Sequence, residues 1–154
     1  MISRAKEMNP LAEDKLNEID VNKVIDYCNN NGIKYYAYMV LEQGALSGKY
    51  SAKNPFPLFS SRNLSFPKSK FIKIQNLLDI MKNIADKYNI DSSQIPILWA
   101  ISKGVVPIVG ITKPSHATKL AESMKFALTK QELDLIEKEA NATGIRQQGT
   151  WEPQ

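Results

Sequence analysis

Two segments of the chain place glycine and polar donors directly after a run of apolar residues. The first, YMVLEQGALSGKY, covers 38–50 and begins where a strand is predicted to end, which is where α/β folds place ligands. Tyr38 could stack on a planar ligand, and Gly44 and Gly48 would let the backbone approach it closely. The donor side chains here are Gln43, Ser47 and Lys49. An ordinary strand-to-loop turn explains the same spacing, and the spacing alone favours that turn.

The second segment, VPIVGITKP, covers 106–114 and again follows an apolar run with glycine and polar groups. Thr112 and Lys113 could hold a phosphate, helped by the partial positive charge at the start of the following helix. His116 and Lys119 lie one turn apart and would extend this anion site. A solvated helix start is the alternative, because the segment has neither a Walker A motif nor a GxGxxG fingerprint.

Other reactive side chains are few. His116 is the only histidine, so a Ser-His-Asp triad would have to use it, and a histidine-rich metal site is excluded. Cys28 is the only cysteine and falls on an apolar helix face, which favours a packing role. The residues therefore indicate no catalytic group and no metal ligand.

Length and composition restrict the class of protein. The chain has 154 residues, of which 43% are apolar and 23% charged, as in one ordinary globular domain. The net charge of +4 includes no lysine or arginine tract, so we expect no nucleic-acid partner. No apolar run approaches the roughly 20 residues that cross a bilayer, and the first ten residues have no signal-peptide core. We expect a cytoplasmic protein without a membrane partner.

Helical and strand patterns alternate along the chain. The spacing predicts buried strands over Lys34–Val40 and Val105–Val109, and an irregular segment over about 42–67. The predicted helices cover about 21–31, 71–88, 94–103, part of 111–126, and 130–141, and a tail covers 142–154. Capping boxes are predicted at two of these helix starts, by Asp91 with Gln94 and by Thr129 with Glu132.

This alternation indicates an α/β fold with parallel strand pairing. Two strands cannot bury the faces of five helices, and a parallel pair leaves two open edges. We therefore expect the chain to form part of a larger sheet.

Together the two segments resemble the C-terminal half of an aldo-keto reductase. YMVLEQGALSGKY is similar to the family's sequence after barrel strand seven, commonly YSPLGQGLLTGKY, and VPIVGITKPSHATKL is similar to that after strand eight, commonly PIPGTRKPEHLEEN. IADKYNIDSSQIPILWAISKG resembles the buried helix between them, and SRAK, at 3–6, resembles the sequence after strand six. The resemblance implies that residues 1–154 are the C-terminal portion of one (β/α)8 TIM barrel domain, with strands seven and eight and their helices. A closed barrel needs about 250 residues.

The resemblance also implies an NADP(H) site, with Tyr38 against the nicotinamide ring. Residues expected along the pyrophosphate are Met39, Leu41, Gln43 and Gly44. Residues expected to hold the phosphate of the adenosine ribose are Gly110, Ile111, Thr112 and Lys113, and His116 falls at a further cofactor contact. Lys119 and Leu120 replace the family's Glu-Asn pair at the adenine, and Lys119 would favour phosphate instead.

The family transfers hydride from NADPH to a carbonyl substrate with a tyrosine, a lysine, an aspartate and a histidine from the first half of the barrel. The resemblance begins after strand six, so no residue here matches that set. We therefore expect this chain to be inactive alone, and to need the N-terminal half or self-association. A non-catalytic nucleotide-binding or regulatory module, or a fragment without function, are the alternatives.

Overall fold

A computed structural model describes residues 21–145. The helices are α1 (Val21–Asn30), α2 (Arg62–Ser65), α3 (Lys68–Tyr88), α4 (Gln94–Ser102), α5 (Pro114–Ser123) and α6 (Lys130–Ala142), and the strands are β1 (Tyr35–Ala37) and β2 (Val105–Pro107). A 3-10 turn covers Glu42–Gly44. The five long helices lie where the periodicity predicts them. The SRAK segment and the tail from 146 onward lie outside the described residues.

β1 and β2 pair in parallel, as predicted. Tyr35 lies opposite Val105, and Ala37 lies opposite Pro107. One more backbone hydrogen bond, from the amide of Ile108 to the carbonyl of Ala37 at 2.7 Å, continues the ladder. Within the described residues the sheet has these two strands alone, so it is not closed into a barrel.

The prediction that both strands are buried is wrong for the described part of the chain. Val105 is buried, but Tyr36 is 57% exposed, and Val106 and Ile108 are exposed as well. Side chains of a strand alternate between the two faces of a sheet. One face packs toward α1 and α4, whereas the side chains of the other face are exposed. The strands are also shorter than predicted, at three residues each.

The main core lies between α3, α4 and α6. The inward face of α3 repeats apolar residues at helical spacing, namely Phe71, Ile74, Leu78, Met81 and Ala85. Phe71 is fully buried, and its ring meets Phe56 and Phe66 edge-on, with centroids 5.2 and 4.9 Å apart. Both partners belong to the irregular segment over 42–67, so that segment is anchored in the core.

Of the two predicted capping boxes, one forms completely and the other forms in part. Thr129 and Glu132 form a complete capping box at the start of α6. At the start of α4, the side chain of Gln94 accepts a hydrogen bond from the backbone amide of Asp91 at 2.7 Å, which is half of a capping box. The carboxylate of Asp91 forms an ion pair with Lys119 at 2.5 Å instead of capping the helix.

Candidate cofactor site

The segments that follow β1 and β2 start from the same edge of the sheet, because the two strands are parallel neighbours. The hydrogen bond between Ile108 and Ala37 is the last described step of their ladder. Tyr38, exposed at the end of β1, therefore begins the first segment beside the start of the second. The carboxyl ends of parallel strands are the usual ligand-binding edge of α/β sheets.

After β1 the backbone turns sharply through left-handed conformations. Four residues have a positive φ, namely Met39, Glu42, Gln43 and Gly44. Only glycine adopts this region readily, and each other residue held there costs about 1–3 kcal/mol. Amide-to-carbonyl hydrogen bonds of 2.8 Å, from Glu42 to Met39 and from Gly44 to Leu41, close the turn. Ala45 and Leu46 are buried directly after it and anchor it in the core.

Arg62 of α2 holds this turn from the other side. Its Nη1 donates to the carbonyl of Gln43 at 3.2 Å, and its Nη2 donates to the hydroxyl of Tyr50 at 3.4 Å. The guanidinium lies 4.3 Å from the ring centroid of Phe56. The hydrogen bond from Arg62 lowers the pKa of the Tyr50 phenol. Arg62 was not among the residues predicted from the sequence, although a single arginine in a segment that otherwise contains only lysine was a usable signal.

The segment after β2 is open to solvent. Gly110, Thr112, Lys113 and His116 are all exposed. Among the described residues other than its two chain neighbours, no atom lies within 4 Å of the place that a Cβ on Gly110 would occupy. Lys113 precedes α5 in an extended conformation without a side-chain cap, and the first turn of that helix has no acidic residue. An anion at this helix start would meet backbone amides and positive charge.

Lys119 is placed differently from the other predicted contacts. Its Nζ is paired with Asp91, and both side chains are about half exposed. Its carbonyl accepts a hydrogen bond from the side chain of Gln94. Lys119 therefore ties α5 to the start of α4, and its charge is shared with a carboxylate.

The described residues contain neither a metal-binding cluster nor a membrane-spanning helix. No group of three histidine, cysteine, aspartate or glutamate side chains among them could hold a metal ion. None of their helices combines the length and apolar character that crossing a membrane requires. Cys28, on α1, is partly buried.

Comparison with known proteins identifies the family. The model of the aldo/keto reductase family matches residues 2–141. The chain belongs to this family.

A chloroplastic pyridoxal reductase of Arabidopsis thaliana is 32% identical to this aldo/keto reductase chain over 110 residues, which cover 68% of the chain and 28% of the relative. A versiconal hemiacetal acetate reductase of Aspergillus parasiticus is 23% identical over 120 residues, which cover 75% of this chain and 34% of the relative. The chain thus spans about a third of the length of these curated relatives.

A solved structure supports the fold. The glycerol dehydrogenase of Gluconobacter oxydans superposes with a TM-score of 0.68 at 19% identity, covering 94% of this chain and 50% of that one. The described α/β arrangement with an unclosed sheet therefore corresponds to part of an aldo/keto reductase TIM barrel.

Proposed function

We propose that the chain is the C-terminal, cofactor-binding part of an NADP(H)-dependent aldo/keto reductase, with β1 and β2 as barrel strands seven and eight. The observation that carries the proposal is the shared sheet edge, from which both candidate segments leave side by side. In a complete barrel the reaction is hydride transfer between NADPH and an aldehyde or ketone.

The second segment suits the phosphate of the adenosine ribose. Open space beside Gly110 lets a ligand approach the backbone. Thr112, Lys113 and the start of α5 then supply a hydroxyl, a cation and backbone amides, and His116 follows within the first turn. We propose that these residues, with Ile111, hold the phosphate end of the cofactor.

The first segment suits the other end of the cofactor. The exposed ring of Tyr38 would stack on the nicotinamide, and the turn that contains Met39, Leu41, Gln43 and Gly44 would lie along the pyrophosphate. Because Arg62 and the buried Ala45 already fix that turn, little conformational entropy is lost when the ligand binds. The bound cofactor supplies the hydride, and this chain binds and orients it.

Turnover needs more than this chain. None of its residues matches the tyrosine, lysine, aspartate and histidine that the family uses as its acid–base set. We therefore propose that the carbonyl substrate is reduced only when the N-terminal half of a barrel completes the site. A sample of the 154-residue chain that oxidises NADPH with an aldehyde would overturn this part of the proposal.

Cofactor binding is tested by titrating the full chain with NADPH and following nicotinamide fluorescence. We expect saturable binding, competition by 2′,5′-ADP, and affinity about tenfold weaker in Lys113→Glu, because a charged hydrogen bond is lost and a repulsion is added. Lys138→Glu, which changes an exposed lysine on α6, is the matched control and should bind as the unmodified chain does. A chain that is folded by circular dichroism and binds no NADPH would refute the proposal.

A further inference from the structure

Gln94 is a buried polar residue at the start of α4, and its side chain makes hydrogen bonds at both ends. The residue is only 5% exposed. Its Oε1 accepts from the backbone amide of Asp91 at 2.7 Å. Its Nε2 donates to the backbone carbonyl of Lys119, in the middle of α5. Because an amide side chain offers a donor and an acceptor at once, Gln94 joins the start of α4 to α5.

The helix α5 has little buried apolar surface that could hold it in place. Among its ten residues, all within the described part of the chain, only Ser123 is buried, and Ser123 is polar. Leu120 is partly buried against a small cluster that includes Ile97 and Ala100. By contrast, α3 buries a whole apolar stripe. Polar contacts therefore contribute more to the attachment of α5 than to that of α3.

Two polar links join Lys119 to the start of α4, and they differ in burial. The ion pair between the Nζ of Lys119 and Asp91 is about half exposed on both sides. Ion pairs of this kind contribute little and are weakened further by salt. The hydrogen bond from Gln94 starts from a buried side chain, and a buried donor that loses its partner is costly. Gln94 is therefore the stronger of the two links.

This link acts on the helix whose start suits a phosphate. Thr112, Lys113 and the first-turn amides lie at one end of α5. Lys119 lies about 8 Å further along the helix axis than Pro114. Since a helix moves as a stiff element, a bond at Lys119 fixes the direction in which the first turn points. Groups that bind a ligand must be held within about 0.5 Å by the hydrogen bonds around them.

We propose that Gln94 is a positioning residue for the phosphate of the adenosine ribose in NADP(H). Through the carbonyl of Lys119 it orients α5, and with it Lys113 and the first-turn amides. This inference rests on the proposed function, which places that phosphate at the start of α5. Because both polar ends of Gln94 already bind backbone, the residue acts on the cofactor through α5 and not by contact.

Two variants of Gln94 separate its two hydrogen bonds. Gln94→Glu keeps an acceptor for the amide of Asp91 and loses the donor to Lys119. Gln94→Met loses both bonds and adds no charge. Titrations of the full 154-residue chain with NADPH and with NADH, followed by nicotinamide fluorescence, give the ratio of the two affinities. We expect both variants to lower that ratio about fivefold or more. A general loss of folded structure would lower both affinities equally and leave the ratio unchanged.

Hydrogen exchange tests the link without any cofactor. In both variants the amides of α5 should exchange about fivefold faster or more, and those of α6 should be unchanged. Gln75→Met, on α3, is the matched control. The side chain of Gln75 also accepts from a backbone amide, that of Ala52 at 3.1 Å, and donates to Asp79 at 3.0 Å. Its loss should alter neither the affinity ratio nor exchange in α5.

Each result decides between the inference and the proposed function. If the unmodified chain does not prefer NADPH to NADH, the NADP(H) site itself is wrong and the inference fails with it. If the unmodified chain prefers NADPH and the Gln94 variants keep that preference, the inference alone is overturned, even where α5 exchanges faster. A lower ratio in Gln94→Met alone would assign the effect to the start of α4, and in Gln94→Glu alone to the added charge. Either result would overturn the inference.

Discussion

The helical layer and the sheet of this molecule differ in how completely they are covered. α3 buries its whole apolar stripe against α4, α6 and the irregular segment. The sheet leaves Tyr36, Val106 and Ile108 exposed and borders an apolar groove of about 500 Å³ between α4, β2 and α5. The helical layer thus supplies most of the buried apolar contact. The sheet offers surface that further strands would bury in a complete barrel.

The strongest test of this contrast removes a ring from the helical layer. Phe71→Ala should lower the free energy of unfolding by about 3–5 kcal/mol, because a fully buried aromatic side chain leaves a cavity. Urea denaturation measures the change. Ile72→Ala, at the next position but exposed on α3, should change stability by about 0.5 kcal/mol or less. Similar losses in both variants would show that α3 does not pack as described.

A second test concerns Glu132, whose carboxylate links α6 to α3. It accepts hydrogen bonds from Lys87 at 2.6 Å, from Tyr88 at 2.8 Å and from the amide of Thr129 at 2.8 Å. Burial alone raises the pKa of this carboxyl, but the hydrogen bonds outweigh burial and lower the pKa from 4.5 to about 2. A carboxyl whose pKa is lower in the folded state stabilises the protein above its unfolded pKa.

The stability from Glu132 should therefore be complete above about pH 4.5 and be lost as the pH falls toward 2. The loss should reach about 3 kcal/mol. In Glu132→Gln the free energy of unfolding, measured by urea denaturation at each pH, should depend less on pH in that range. Glu139→Gln, on the same helix, should keep the pH dependence of the unmodified chain. An unchanged profile in Glu132→Gln would contradict the link between α6 and α3.

The two faces of β2 give a smaller and more direct comparison. Val105→Ala should lower stability by about 1.5 kcal/mol, since two buried methyl groups are lost. Val106→Ala, on the exposed face, should cost about 0.5 kcal/mol or less. Thermal unfolding of both variants tests the difference. A larger cost at Val106 would mean that the second face of the sheet is covered in solution.

The smallest effect on stability is expected where the helical layer meets the candidate site. Asp91→Asn breaks the half-exposed ion pair with Lys119 and should change stability by about 0.5 kcal/mol or less. It also releases the charge of Lys119, so 2′,5′-ADP should bind more tightly if Lys119 contacts phosphate as the sequence predicts. Calorimetric titration of 2′,5′-ADP gives the answer, and Asp86→Asn, in the exposed pair with Lys82, is the control.

The sequence correctly predicts those features that are determined by residues close together in the chain. The stripe that includes Phe71 and the capping box of Thr129 with Glu132 are encoded within a few positions, and the structure confirms both. Parallel pairing follows from the alternation of helices and strands, and this brings the two candidate segments to one edge. The pairing of Lys119 with Asp91 joins residues 28 positions apart, and local patterns do not specify it.

Exposure is the property that the sequence predicts least well. The apolar run at β1 favours burial, but whether Tyr36 is covered depends on strands that the described sheet does not contain. The left-handed turn at Gln43 is likewise fixed by Arg62, 19 positions away. The predicted cofactor contacts stay predictions until binding is measured.

The register of the sheet also bears on the order in which the molecule folds. Each hydrogen bond inside α3 joins residues four positions apart, whereas Tyr35 and its partner Val105 are 70 positions apart in the chain. Contacts that close long loops form slowly during folding. The edge that unites the two candidate segments should therefore be among the last regions to protect its amides from hydrogen exchange. A dinucleotide bound to both segments would slow exchange there first, before it affected α3.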